Sequence, residues 1–199
     1  IYTSGSTGTA KAVMIEHASA ANFWWAMCQT THRDCPPNAA IGWNASYTFD
    51  MSLKGLLQLL SGHRLVIIPQ LIRASGAQFI EFAKQHAIAA FDCTPSQLTM
   101  LIEAGLMEQP DYRPVSVLIG GEAIGESMWQ SLCNAEGIRY YNMYGPTECT
   151  VDATIGLIDR AAEVAHIGRP IANMQIYILD RHGAPVPLGV AGEIHIGGV

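Results

Sequence analysis

The chain has 199 residues, 49% of them hydrophobic and 14% charged, with a formal net charge of −6. That length fits one large domain with a substantial core, or one and a half small ones, and an acidic balance with no basic stripe argues against nucleic-acid or membrane-surface partners. A charged fraction well below the roughly 25% of an average soluble domain suits a piece of a larger protein or a compact domain with a big core.

The chain opens on IYTSGSTGTAKAV (1–13), a loop rich in Gly, Ser and Thr. HASAANFWWAMCQTT (17–31) reads as a helix, and its adjacent Trp24 and Trp25 cannot share one face, so at least one packs against a neighbour. AIGWNAS (40–46) reads as a strand, followed by a helix over MSLKGLLQLLSG that stops at Gly62. RLVIIP (64–69) is a buried strand ended by Pro69. A helix near 76–86, a strand over 87–93 and a helix after Pro95 come next. Then follow a strand at 115–121, a helix at 126–135 and a strand at 138–145. Regular β/α alternation with uninterrupted apolar strands predicts an α/β fold, a mostly parallel sheet covered by helices on both faces. After about residue 153 the rhythm changes to short strands (ATIGLI, MQIYILD, GEIHIGG) between Pro/Gly turns. This reads as an α/β subdomain over 1–153 and the start of a small β-rich subdomain over 154–199.

Five cysteines, odd in number and without a CxxC pair, read as reduced thiols in a cytoplasmic protein. No apolar run reaches the ~18 residues of a spanning helix, and no signal-peptide pattern opens the chain. The seven histidines show no metal-ligand spacing. His17, His63, His86, His166, His182 and His195 fall at element ends and in the tail, and His32 sits in a loop beside Arg33; all read as structural or solvated.

A loop of Gly, Ser and Thr offers backbone N–H groups and hydroxyls with few side chains in the way, which suits a phosphate, and Lys11 adds charge. Taken alone it reads equally well as a surface turn. It is not a P-loop, because Ala10 and Ala12 occupy the Gly and Ser/Thr places around the lysine.

Six blocks occur in order: YTSGSTGTAK, FDMS (49–52), GGEA (120–123), NMYGPTE (142–148), IGRPIANMQIYILD (167–180) and GEIHIGG (192–198). Together they resemble the adenylation domain of nonribosomal peptide synthetases, within the wider superfamily of acyl-CoA synthetases and firefly luciferase. The resemblance implies an amino-acid-activating enzyme that uses ATP and Mg²⁺. An amino-acid carboxylate attacks the α-phosphate of ATP to give an aminoacyl-adenylate and pyrophosphate. The acyl group then passes to the phosphopantetheine thiol of a peptidyl carrier protein, with a condensation domain as a further partner. By the same resemblance Thr3, Ser4, Gly5, Ser6, Thr7, Gly8 and Lys11 wrap the β,γ-phosphates, although the family usually has Pro and Gly beside the lysine. Losing that glycine stiffens the loop. Tyr144 lies against the adenine, Asn142 reads its exocyclic amine, and Gly120 and Gly121 admit the nucleotide. Thr147 contacts phosphate and Glu148 holds Mg²⁺, a hard cation that wants carboxylate oxygen. Lys11, Thr147 and Glu148 are thus the catalytic set.

Asp50 is expected to pair with the substrate α-ammonium, because relatives that activate fatty or aryl acids have none to meet and a bare buried carboxylate is costly. Capping a helix is compatible with that role. The resemblance lines the side-chain pocket with Met51, Lys54, Asp92, Ile119, Gly121, Met143, Val151 and Asp152. Three charges are too many for an apolar substrate, since each needs a partner. Lys54 meeting a γ-carboxylate points to glutamate or glutamine. If one aspartate neutralises Lys54, the other is left for a basic amino acid. An acyl- or aryl-CoA ligase and a non-catalytic nucleotide-binding module are the other readings. The family's ribose-binding aspartate, hinge and C-terminal lysine have no counterpart here, so the chain is expected to be an internal fragment that binds nucleotide weakly and does not turn over alone.

Overall fold

Strands that read as unbroken apolar runs do so because both of their faces are covered. The structure, a computed structural model, describes residues 1–3, 9–162 and 164–198. A two-residue ladder, β1 (Tyr2–Thr3) against β2 (Lys11–Ala12), closes the base of the opening loop. Next come α1 (His17–Gln29), β3 (Ala40–Trp43), α2 (Ser52–Leu56), β4 (Arg64–Ile67), α3 (Gln70–Arg73) and α4 (Gly76–Gln85). They are followed by β5 (Ile88–Cys93), α5 (Pro95–Glu103), β6 (Ser116–Ile119), α6 (Glu126–Asn134) and β7 (Arg139–Tyr144). The chain ends through β8 (Thr154–Ile158), β9 (Arg169–Pro170), β10 (Met174–Leu179) and β11 (Glu193–Gly198).

Seven strands form one sheet in the order β4-β3-β5-β6-β7-β8-β9. The pairs from β4 to β7 are parallel, and β8 and β9 are antiparallel additions. Alternate residues of each strand feed two cores. Val117, Ile119 and Tyr140 pack with Phe79 and Ala83 of α4, Leu98 and Leu101 of α5, and Trp129 and Leu132 of α6. Leu118, Tyr141 and Met143 pack on the opposite face with Phe23, Ala26 and Met27 of α1. Those three α1 residues follow helical spacing and define its buried stripe. Ser75 and Thr94 cap α4 and α5 by accepting from Gln78 N and Gln97 N, and Pro95 takes the first turn of α5.

The structure refines several expected elements. The strand expected over 40–46 stops at Trp43, and the helix expected over 51–62 is one short α-helix continued as a 3₁₀ helix, Leu57–Ser61, to a left-handed Gly62. Thr154–Ile158, assigned from sequence to the β-rich tail, pairs with β7 inside the large sheet, so a cut at 153/154 divides that sheet. The separate β-ribbon is β10 with β11. Trp24 donates to Ser61 Oγ at 2.8 Å, whereas Trp25 is half-exposed. No helix among the described residues is long and apolar enough to cross a membrane.

His32 is buried, with Nδ1 at 2.9 Å from Thr31 Oγ1. Burial, aided by the neighbouring His63, pushes its pKa down to about 3. The folded state therefore holds fewer protons on His32 than the unfolded chain does. Its contribution is complete above the unfolded value near 6.5 and is lost as pH falls toward the folded one. Unfolding free energy is expected to drop by about 2 kcal/mol between pH 7 and pH 5 relative to His32→Gln. Urea denaturation of both proteins at the two pH values measures this; parallel curves would refute it.

Candidate active site

In a parallel sheet the carboxyl ends of the strands share one edge, which is where α/β folds place ligands. Here a cleft of about 470 Å³ opens at that edge. Asp50, Met51 and Lys54 line it from the start of α2; Gly121, Glu122 and Ala123 from the turn after β6. Asn142, Met143, Tyr144 and Gly145 come from the end of β7, and Val151, Asp152 and Ile167 complete the wall.

The segment between β7 and β8 is held by geometry that no local propensity favours. The chain leaves β7 at Tyr144 and returns with Ala153 N donating to Tyr144 O at 2.8 Å. On the way Thr150 and Val151 both adopt positive φ, 61° and 72°. For β-branched residues that conformation costs of the order of 1–3 kcal/mol each. The result turns Val151 and Asp152 into the protein, where Asp152 meets Lys54. Gly145 sits where this return crosses β7: a Cβ there would lie 2.5 Å from Asp152 Cα and 2.6 Å from Ala153 N. Gly145→Ala is expected to destabilise the fold by at least about 2 kcal/mol, because backbone and not a mobile side chain must give way. A thermal melt checks this, and an unchanged midpoint would contradict it.

Lys54 and Asp152 are both buried, with Nζ 3.0 Å from Oδ2. Asp92, at the end of β5, is also buried, and its Oδ2 has no hydrogen-bond partner among the described residues. Burial pushes the Asp92 carboxyl up to about 6 against the opposing charges of Lys54 and Arg73. Burial likewise raises Asp152, with Lys54 pulling the other way. Arg73 approaches from behind, its Nε donating to Ile68 O at 2.8 Å. Asn44 Nδ2 donates to Asp92 O at 2.7 Å and to Gln97 Oε1 at 2.6 Å, fixing the end of β5.

At the other end of the cleft Asn142 Nδ2 donates to His166 O at 2.8 Å. That bond uses one of the two amide N–H donors and fixes the amide's orientation, with Oδ1 as its acceptor. Tyr144 is 37% exposed beside it. Gly121 has φ +84°, which an L side chain rarely adopts.

The cleft thus gathers Asp50, Met51, Lys54, Gly121, Asn142, Met143, Tyr144, Val151 and Asp152 from the residues nominated by sequence. Asp92, Ile119 and Gly120 are buried behind the wall and do not line it; a Cβ on Gly120 would stand 3.4 Å from Lys54 Nζ. Thr147 and Glu148 lie on the 3₁₀ turn Thr147–Cys149 just beyond the lining, with Glu148 exposed. Thr3 and Lys11 face each other across the β1–β2 ladder and do not line the cleft. Ser4, Gly5, Ser6, Thr7 and Gly8 lie outside the described residues. Glu122, Ala123, Gly145 and Ile167 were given no role from sequence although each stands inside a quoted block. Glu122 Oε2 accepts from Ser96 N at 3.1 Å and ties this turn to the first turn of α5.

No group of three or more His, Cys, Asp or Glu among the described residues could by itself hold a metal. Glu148, exposed and without an ion pair among those residues, fits a Mg²⁺ that takes one carboxylate and completes its shell with phosphate and water.

The sequence profile described as AMP-binding enzyme matches residues 1–199. The AMB antimetabolite synthetase AmbE of Pseudomonas aeruginosa is 38% identical over all of this chain, which spans 9% of that relative. A linear gramicidin synthase of Brevibacillus parabrevis is 39% identical over all of the chain, which spans 2% of it. Among solved structures, a four-domain nonribosomal peptide synthetase bound to AMP and glycine superposes with TM-score 0.85 at 30% identity, covering all of this chain and 14% of that one. The chain therefore spans under a sixth of each of these relatives.

Proposed function

The chain belongs to the AMP-binding enzyme family of adenylate-forming ligases, and from that premise we propose that it is the amino-acid-activating part of a nonribosomal peptide synthetase. One observation carries the reading: a single cleft joins an aromatic face and an amide acceptor, Tyr144 and Asn142, to a half-buried carboxylate, Asp50, and a buried ammonium, Lys54. Adenine offers a π-face and an exocyclic N–H donor, and Asn142 Oδ1 is the matching acceptor. Asp50 meets the substrate α-ammonium, which leaves the α-carboxylate directed at the α-phosphate of ATP. Thr147 and Lys11 contact the phosphates, and Mg²⁺, when bound at Glu148, neutralises polyphosphate charge.

The substrate in this reading is glutamate or glutamine, its side chain directed at Lys54. The Lys54–Asp152 pair is the premise of the competing reading, a basic amino acid on the remaining carboxylate. That carboxylate, Asp92, lies behind the wall, which favours the acidic or amide side chain. Asp50 in the cleft disfavours an acyl- or aryl-CoA ligase. Transfer of the aminoacyl group to the phosphopantetheine thiol of a peptidyl carrier protein, with a condensation domain downstream in the chemistry, follows in the same reading. The setting is the cytoplasm, where the free cysteines stay reduced.

Amino-acid-dependent exchange of pyrophosphate into ATP by the full-length protein tests this. Glutamate or glutamine is expected to give the strongest signal. Exchange with ornithine, lysine or arginine and none with either would overturn the specificity, and no exchange with any amino acid would overturn the activity.

A further inference from the structure

The charges around Asp92 do not balance once an acidic substrate is in place. Lys54 reaches the cluster from α2, Arg73 from α3 behind it, and Asp152 from the return segment before β8; these, with Asp92 on β5, are the charged groups that set its ionisation. Asp50 adds to the negative field at Asp152 but is matched by the substrate α-ammonium. Without substrate, two cations face two carboxylates. A γ-carboxylate directed at Lys54 makes three carboxylates for two cations among buried side chains, and an unmatched buried charge is far costlier than a proton taken from solvent at neutral pH.

Resting on the glutamate/glutamine reading above, we propose that Asp92 takes up one proton from solvent when a side-chain carboxylate enters the cleft, so that glutamate binds together with a proton and glutamine binds without one. Geometry selects Asp92 as the acceptor. Asp152 Oδ2 is held in an ion pair with Lys54 Nζ at 3.0 Å, whereas the buried Asp92 Oδ2 has neither an ion pair nor a hydrogen bond among the described residues. As a carboxylate that oxygen is part of a buried charge with no donor to stabilise it; protonation removes the charge. Its ionisation range, raised by burial to about 6, makes the uptake accessible. Bringing a further anion to Lys54 withdraws part of the stabilisation that the ammonium gives Asp92, and raises the carboxyl further.

Below about pH 6 Asp92 already carries the proton and glutamate enters at no extra cost. Above it each pH unit weakens glutamate binding about tenfold until the bound state itself ionises. Glutamine, with no charge to balance, is free of this slope.

The experiment is pyrophosphate exchange by the full-length protein from pH 5.5 to 8.5, read as the ratio of KM for glutamate to KM for glutamine. The ratio is expected to be flat at the acid end and to climb about tenfold per pH unit above pH 6. In Asp92→Asn, an uncharged stand-in for the protonated acid, the slope is expected to vanish. A flat ratio in the unsubstituted protein, or a slope that survives in Asp92→Asn, would overturn the proposal while leaving the glutamate/glutamine reading intact. Exchange with neither amino acid would fell both. Should Asp92→Asn fail to fold, calorimetric titration of the unsubstituted protein at pH 7.5 in two buffers of different ionisation enthalpy decides the matter. It should count close to one proton taken up per glutamate and none per glutamine; equal counts would refute the proton linkage.

Discussion

Replacing Lys54 by methionine is expected to lower the unfolding free energy by about 3–5 kcal/mol at pH 8, the cost of leaving a buried carboxylate without its partner. Methionine keeps the length of the side chain and much of its packing, so the loss reports charge. With the ammonium gone, the buried Asp152 and Asp92 repel each other, and Arg73 is left as the opposing charge at Asp92. Both carboxyls already ionise above the usual carboxylate range, and removing Lys54 raises them further. The deficit should therefore shrink as pH falls from 8 to 5 and the two groups bind protons. The sign agrees with linkage: the variant's folded state binds more protons than its unfolded chain in that window, so acid stabilises it relative to the parent. Lys54→Met with Asp152→Leu, which removes both partners of the pair, should recover part of the loss. Chemical denaturation at both pH values measures all of this. A deficit below about 1 kcal/mol at pH 8, the scale of an exposed pair, would mean that the pair is solvated and that burial does not govern its charges.

The second large effect is expected at Asp50. Asp50→Asn should raise KM for the amino acid by about 30- to 1000-fold, or about 2–4 kcal/mol, because an α-ammonium loses its charged partner. Asp50 is half-buried, which places the figure below the upper end of the range for fully desolvated pairs. KM for ATP should change by less than about threefold, since the substitution touches the amino-acid end of the cleft alone. The split between the two substrates separates a binding role from a structural one: a helix-start residue that merely supported α2 would impair both. The N-cap of α2 is Met51, whose side chain cannot cap, and the Asp50 carboxylate makes no side-chain hydrogen bond among the described residues, which leaves it free for a ligand. Equal changes in both KM values, or none in either, would refute the assignment.

Most of the scaffold was legible because its signals are local. The β/α alternation follows from apolar runs too short for helices, bounded by Gly and Pro. The cleft was legible as blocks of sequence, and nine nominated residues converge on it. What escaped was membership and layering. Thr154–Ile158 has the length and alternation of a ribbon strand, and only a register partner in β7 draws it into the large sheet. Asp92 reads as a pocket residue by position, yet it stands behind the wall, because its register through β6 sets it level with Tyr141, one residue short of the Asn142–Tyr144 end of β7 that reaches the cleft. Glu122 carried no signal of its own, since its bond to Ser96 spans 26 residues.

The order of elements, the cover of helices on both sheet faces and the kinds of side chain in the quoted blocks can all be read along the chain, because periodicity and turn chemistry act within a few residues. Packing alone pairs Lys54 with Asp152, leaves Asp92 Oδ2 without a hydrogen bond among the described residues, and turns Thr150 and Val151 through left-handed backbone to bring Asp152 inward. Those outcomes depend on which charges share a buried volume. That is fixed by packing between segments as distant as 54 and 152, where the balance of desolvation and pairing overrides every local preference.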